Sequence, residues 1–143
     1  PRGSQRAVTP AFFDTNVLVY AFGDDARRSV ALRLLDEGCV VSVQSLNELA
    51  NVLRRKQKRD WPTIGRAVDA IIARSATIVI ANLDLHHLGL RLAERYRLSV
   101  YDAMIAAAAL TAECDTLYSE DMHDGLVIDG RVRIVNPFAP VAG

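Results

Sequence analysis

Four carboxylates stand where regular structure is about to begin or has just ended: Asp14, Glu48, Asp102 and Asp121. Phe12-Phe13 reads as a short buried strand running into the polar stretch Asp14-Thr15-Asn16, after which Val17-Leu18-Val19-Tyr20 resumes an apolar run. In an open α/β sheet the carboxyl ends of the strands are where a ligand site is built. Taken singly, each acid has an ordinary structural explanation. Asp14 can cap the helix that follows. Glu48 and Asp102 fit capping boxes, in Ser45-Leu46-Asn47-Glu48 and Ser99-Val100-Tyr101-Asp102, and both gain from the positive end of a helix dipole. Asp121 can be one loop acid among several. Together they imply a different chemistry. Carboxylates converging without Lys or Arg repel one another and bind protons more tightly. A hard divalent cation removes that penalty, and Mg²⁺ or Mn²⁺ takes oxygen ligands while keeping several waters. Such an ion lowers the pKa of a bound water and neutralises phosphoryl oxygens. His86 and His87 fall within an expected helix surface, and His123 is only a weak candidate for substrate contact.

The acids matter only if the elements around them share a rim. Asp24-Asp25 is expected to cap a helix over Ala26 to Glu37, with Val30, Leu34 and Leu35 as its apolar stripe and Gly38 as its end. Cys39 to Val43 reads as a second strand, and the capping box at Ser45 opens a helix whose Leu46, Leu49, Ala50 and Leu53 recur at helical spacing. Asp60-Trp61-Pro62 breaks that helix and starts another, through Arg74. Thr77 to Ile80 is a third strand, and Asp84 is expected to cap a helix to Arg97 along Leu85, Leu88, Leu92 and Ala93. Another helix spans Ala103 to Glu113, small enough over Ala106 to Ala109 to lie close on a sheet. Thr116 to Tyr118 is a fourth strand, and Asp129-Gly130 marks a hairpin within Leu126 to Ile134. Strands alternating with helices predict one α/β domain, its central sheet mainly parallel and flanked by helices on both faces. Parallel strands end on one side, so Asp14, Glu48 and Asp121 share a rim by topology. Asp102 joins them only if its helix begins there.

The bulk numbers set the frame. The chain has 143 residues, half of them hydrophobic and 24% charged, which suits one domain with a sizeable core. Pro1-Arg2-Gly3-Ser4 resembles a protease-site scar from expression, leaving 5–143 as the domain. Lys and Arg balance Asp and Glu at 17 each, so a nucleic-acid partner would need a local basic surface. Cys39 and Cys114 form no CxxC unit and are expected to be buried free thiols in a reducing, cytoplasmic setting. No apolar run approaches the roughly 20 residues that span a bilayer, so no membrane role is expected.

Asp14-Thr15-Asn16-Val17-Leu18, Asn47-Glu48-Leu49, Tyr101-Asp102-Ala103-Met104-Ile105-Ala106 and Ser119-Glu120-Asp121 resemble, in order, the successive motifs of PIN-domain nucleases. The likeness covers nearly the whole chain after residue 4, and its size and order resemble the VapC-type toxins of bacterial toxin–antitoxin pairs. The resemblance implies a Mg²⁺- or Mn²⁺-dependent endoribonuclease with Asp14, Glu48, Asp102 and Asp121 as its acidic cluster. It also implies Asn16 and Ser119 as polar supports and Asp124 as a secondary acid. A metal-activated water would attack phosphorus, leaving a 5′-phosphate and a 3′-hydroxyl. A small cognate antitoxin would cover the cleft, inserting an Arg near the carboxylates, and the toxin would be a homodimer.

The run Arg54, Arg55, Lys56, Lys58 and Arg59 is a candidate RNA-binding surface, or else a solvated helix end favoured by the dipole. Trp61 is expected to pack at a helix–helix turn, with stacking on a base as the alternative. Val19, Tyr20 and Phe22 fit either an interface or the core. Competing readings fit less well: a haloacid-dehalogenase-like phosphohydrolase wants a second acid where Asn16 stands, and a receiver domain wants a Lys after a late strand. A catalytically silent PIN-like module for RNA binding or assembly is the remaining alternative, although the intact acid set argues against it.

Overall fold

Alternation within single strands puts successive side chains on opposite faces of a sheet, and both faces here are buried. In β1 (Ala11–Phe13), Phe12 packs into one core cluster and Phe13 into another. In β2 (Cys39–Ser42), Val40 joins Phe12, while Cys39 and Val41 join Phe13. The computed structural model describes residues 9–139; the scar expected at 1–4 lies outside the described residues.

The remaining elements are α1 (Thr15–Tyr20), α2 (Arg27–Asp36), α3 (Val43–Arg55), α4 (Trp61–Arg74), β3 (Ser75–Val79), α5 (Leu83–Tyr96), α6 (Val100–Thr111), β4 (Thr116–Tyr118), β5 (Val127–Ile128) and β6 (Val132–Val135). The sheet order is β3-β2-β1-β4-β6-β5. All its pairs are parallel except the β5–β6 hairpin, which turns at Asp129-Gly130 with both residues at positive φ. Side chains of α1 to α4 fill one face, and those of α5 and α6 fill the other. This is the α/β architecture expected from the sequence. Successive strands move outward from β1 toward β3, and β4 then starts again on β1's other side. The carboxyl ends of β1 and β4 therefore flank a topological switch point, where open sheets leave a crevice.

Several boundaries differ from the sequence reading. The cap of α3 is Ser42, whose Oγ accepts the Ser45 N–H at 3.0 Å, so Val43 belongs to the helix and Glu48 lies in its second turn. Ser42 wins because it is already extended at the end of β2, one residue before helical dihedrals begin. Asn82, not Asp84, caps α5, accepting the Leu85 N–H at 2.8 Å; Asp84 sits in the first turn, where its charge suits the dipole. Asp25 accepts the Arg27 N–H, but the capping position of α2 falls on Ala26, without a side-chain bond. The inward residues of α2 are Ala31 and Leu35, whereas Val30 and Leu34 are only half-buried. Strand β3 begins and ends earlier than expected because β2 turns into α3 after Ser42, opposite Val79, leaving Ile80 no partner and 70% exposed. The thiols of Cys39 and Cys114 are free and buried as expected. Among the described residues no helix is long and apolar enough to cross a membrane.

Helices α5 and α6 meet closely because α5 carries Gly89 against Met104 of α6, and α6 presents Ala103 and Ala106 to Ala109 fully buried. A Cβ at Gly89 would overlap the Met104 thioether. Gly89→Val is expected to lower stability by no more than about 1 kcal/mol, because the atoms it overlaps are the flexible, half-buried end of Met104 and can be displaced. Shortening the obstruction with Met104→Ala in the same chain should recover part of that loss, read as a non-additive pair of urea midpoints.

Candidate active site

Asp14 is the residue at which β1 gives way to α1, and its backbone N–H still donates to Tyr118 O of β4 at 2.9 Å. Its extended dihedrals make it the cap of α1, with Oδ1 accepting the Thr15 N–H at 2.7 Å. Oδ2 accepts from Ser119 Oγ at 2.8 Å and from Asn16 Nδ2 at 3.3 Å. Ser119 is fully buried just after β4, and its Oγ also accepts the Met122 N–H at 3.2 Å. The capping explanation of Asp14 and the site explanation thus hold together, since one oxygen caps and the other lies among side chains from β4's end.

Glu48 reaches the same place from α3. Its Oε2 accepts from Thr15 Oγ1 and its Oε1 from Gln44 Nε2, both at 2.9 Å. Lying in the second turn, Glu48 shares a helical stripe with Val52 and Lys56, and all three line the cleft. Asp102 sits three residues past the α6 cap Ser99, whose Oγ accepts its N–H at 3.1 Å. Asp121 follows β4, with Oδ2 accepting from Asn16 Nδ2 at 3.0 Å. Asp14, Glu48, Asp102 and Asp121 all line one cleft of about 380 Å³. The start of α6 therefore does stand on the rim, which topology alone left open.

The electrostatics of this cleft are unusual. The ion pairs of the described residues fall on Asp25, Glu120 and Asp129, and none involves the four cleft acids. Burial pushes the Asp14 carboxyl up to about 6; donors on Ser119 and Thr15 pull it back, and the charges of Asp102 and Glu48 push it up further. The donor set is all oxygen, which fits a hard divalent cation. Among the described residues no three Asp, Glu, His or Cys side chains are drawn tightly enough to form a finished ion cage. An ion such as Mg²⁺ keeps several waters and needs only one or two direct carboxylates, so the open arrangement is compatible with it.

The other expected residues divide. Asn16 donates to both Asp14 and Asp121, and Ser119 donates to Asp14. Asp124 is not among the cleft residues: its Oδ1 accepts the Asn136 N–H at 2.8 Å and fastens the chain beyond β6. Of the basic run, Lys56 alone lines the cleft. Arg54 lies over the Trp61 ring at 4.8 Å, and Arg59 donates to Phe22 O at 2.9 Å, tying α3's end to the α1–α2 connection. Trp61 is 62% exposed instead of packed at its turn, because α4 buries Ile64, Ala67 and Ile71 and leaves its first residue outside. Val19, Tyr20 and Phe22 are half-buried against the α1–α4 core, and Val19 and Tyr20 also line the cleft. Sequence reasoning missed Thr15 and Gln44 as holders of Glu48 and gave Glu120 no role. Gln44 lies four residues before Glu48 on one helix, a spacing that was visible; the Thr15 contact spans 33 residues and was not.

The family model of the PIN domain matches residues 11–123. A search of curated proteins by sequence finds no match. Among solved structures, a chain of a toxin–antitoxin complex from Klebsiella pneumoniae is 22% identical with a TM-score of 0.69, covering 90% of this chain and 98% of that one. VapC20 of Mycobacterium tuberculosis, described as a toxin cleaving the sarcin–ricin loop, is 22% identical with a TM-score of 0.63, covering 78% of this chain and 89% of its own. A chain of VapBC2 from Rickettsia felis, bound to a DNA fragment of its promoter, is 19% identical with a TM-score of 0.56 over 78% and 87% of the two chains. At these identities the likeness establishes a shared fold.

Holding Asp14 charged and buried costs stability in the metal-free protein. Its folded pKa of about 6 lies above the ordinary 3.8. Its favourable contribution is therefore complete below about pH 4 and is lost as pH rises through about 6. In EDTA at pH 7.5, Asp14→Asn is expected to be more stable than wild type by about 2–3 kcal/mol, and the gap should close toward pH 4. Denaturant titrations at the two pH values measure this directly; a gap independent of pH would contradict it.

Proposed function

The chain belongs to the PIN-domain family, and on that footing we propose that it is a Mg²⁺- or Mn²⁺-dependent endoribonuclease, the toxin of a type II toxin–antitoxin pair. The observation that supports this most directly is four carboxylates on one cleft with, among the described residues, no cationic side chain paired to any of them. Asp14, Glu48, Asp102 and Asp121 would hold the cation. When bound, it supplies a lowered pKa for water and charge to offset the phosphoryl oxygens.

The chain's own residues do the rest. Ser119 and Thr15 keep both oxygens of Asp14 oriented, and Thr15 with Gln44 does the same for Glu48. Lys56, on the cleft wall, meets a substrate phosphate next to the scissile one. Tyr101, 72% exposed at the rim beside Asp102, offers a ring to an unpaired base. Hydrolysis by water leaves a 5′-phosphate and a 3′-hydroxyl. Because the ribose 2′-hydroxyl takes no part, preference for RNA rests on binding and shape. The partner is a small cognate antitoxin placing an Arg against the carboxylates. The toxin itself is a cytoplasmic homodimer, for which exposed Ile80, Leu83 and Val100 offer apolar surface.

Purified, antitoxin-free protein is expected to cleave structured RNA in Mg²⁺ or Mn²⁺. EDTA, Asp14→Asn or Asp102→Asn should each reduce the rate by about 100-fold or more. Cleavage unchanged in both variants would place the activity elsewhere, and binding without cleavage in either metal would favour a silent RNA-binding module. In the Asp14→Asn background, Lys56→Ala is expected to weaken single-stranded RNA binding. It should also flatten the dependence of log affinity on log salt by about 0.7, the release from one phosphate contact.

A further inference from the structure

Glu120 lies between two residues of the cleft network, Ser119 and Asp121, yet does not line the cleft itself. Its carboxylate is engaged at both oxygens. Oε1 accepts from Tyr20 Oη at 2.5 Å, and Oε2 pairs with Arg27 Nη1 at 3.2 Å. Arg27 in turn lies over the Tyr20 ring at 4.1 Å and pairs with Asp25 at 2.7 Å, while Phe138 meets Tyr20 edge-on at 4.9 Å between centroids. Burial, with Glu120 adding, pushes the Tyr20 hydroxyl up to about 12, so it stays a donor. The Glu120 N–H donates to Asn16 Oδ1 at 3.2 Å, and the same Asn16 amide donates to Asp121.

The two acids thus have opposite surroundings. Glu120 is three-quarters buried at its side chain and neutralised by Arg27. Asp121 is exposed, faces the cleft, and among the described residues has that single Asn16 side-chain bond. A loop residue so loosely held is placed by its neighbour's attachments. We propose that Tyr20 and Arg27 are positioning residues that act through Glu120. By clamping the segment after β4 onto α1 and α2, they hold Asp121 toward the cation site and keep the Glu120 charge out of it. This rests on the reading of the cleft as a divalent-cation site.

A second cluster of the same composition provides the control. Tyr96 Oη donates to Asp129 at 3.0 Å, and Arg91 pairs with Asp129 at 2.9 Å, at the β5–β6 hairpin and outside the cleft. Mn²⁺ is titrated calorimetrically into the intact protein, wild type and variants, with unfolding midpoints measured in parallel. Tyr20→Phe and Glu120→Gln are each expected to weaken Mn²⁺ binding about 10-fold, the usual size of effect for groups that orient ligands. Tyr96→Phe should leave Mn²⁺ affinity unchanged at a comparable loss of stability. Combining Tyr20→Phe with Arg27→Ala should cost less than the sum of the two, because both act through one carboxylate. Wild-type Mn²⁺ affinity retained in Tyr20→Phe and Glu120→Gln would overturn the clamp alone. Equal weakening by Tyr96→Phe would reduce the effect to general destabilisation and overturn it as well. A wild type that binds no Mn²⁺ would remove the cation site, and the clamp's role with it.

Discussion

Negative charge held close together and away from water is the constraint on which the rest of this structure turns. Asp14 is only 6% exposed, yet Glu48 and Asp102 are near enough to raise its proton affinity further. Among the described residues no Lys or Arg is paired with these acids to relieve the repulsion. What offsets it in part is a set of neutral donors: the Ser119 and Thr15 hydroxyls, the Thr15 N–H and the Asn16 and Gln44 amides. Such donors orient carboxylates without cancelling their charge. A site arranged for a cation needs that combination, because an internal Arg or Lys would satisfy the acids and leave nothing for an ion to do.

Sheet topology is what makes the crowding possible. The strand order reverses at the β1–β4 neighbours, so the chain leaves the sheet in opposite directions on the two sides of Asp14. Elements from distant parts of the chain then converge on one crevice. Ser119 bonds Asp14 across 105 residues, and Asn16 reaches Asp121 across the same separation. Closing loops of that length costs entropy that a few hydrogen bonds do not recover. The two apolar layers do that work, with Phe12 and Leu117 on one side and Phe13, Val41 and Leu49 on the other, all fully buried. The network at the rim is carried by the core beneath it.

Two clusters of tyrosine, acid and arginine occur among the described residues, one at Glu120 and one at Asp129. Their chemistry is nearly the same and their consequences differ with location. At Asp129 the cluster fastens α5 to a hairpin whose turn already needs positive φ. At Glu120 it fastens the segment that carries an acid of the cleft. Composition and hydrogen-bond geometry do not separate the two; only the neighbouring residue in the chain does.

Periodicity and turn chemistry were enough to determine the α/β class, the order of elements, the Asp129-Gly130 hairpin and the placing of Asp14, Glu48 and Asp121 on one rim. These depend on contacts within a few residues or on the alternation of apolar side chains, both written locally in the chain. The same local rules misplaced the start of α3 at Ser45 and the cap of α5 at Asp84. Ser42 and Asn82 were equally good capping residues, and the choice fell to where β2 and β3 stop pairing. Tertiary structure alone decided that Lys56, and not its basic neighbours, faces the cleft and that Trp61 stays outside. It alone also turned Asp124 to the backbone, set Thr15 against Glu48, and brought Asp102 onto the same rim as Asp14. Each of these depends on how one element lies across another. That is set by the packing of two complete apolar faces, which no short stretch of sequence contains.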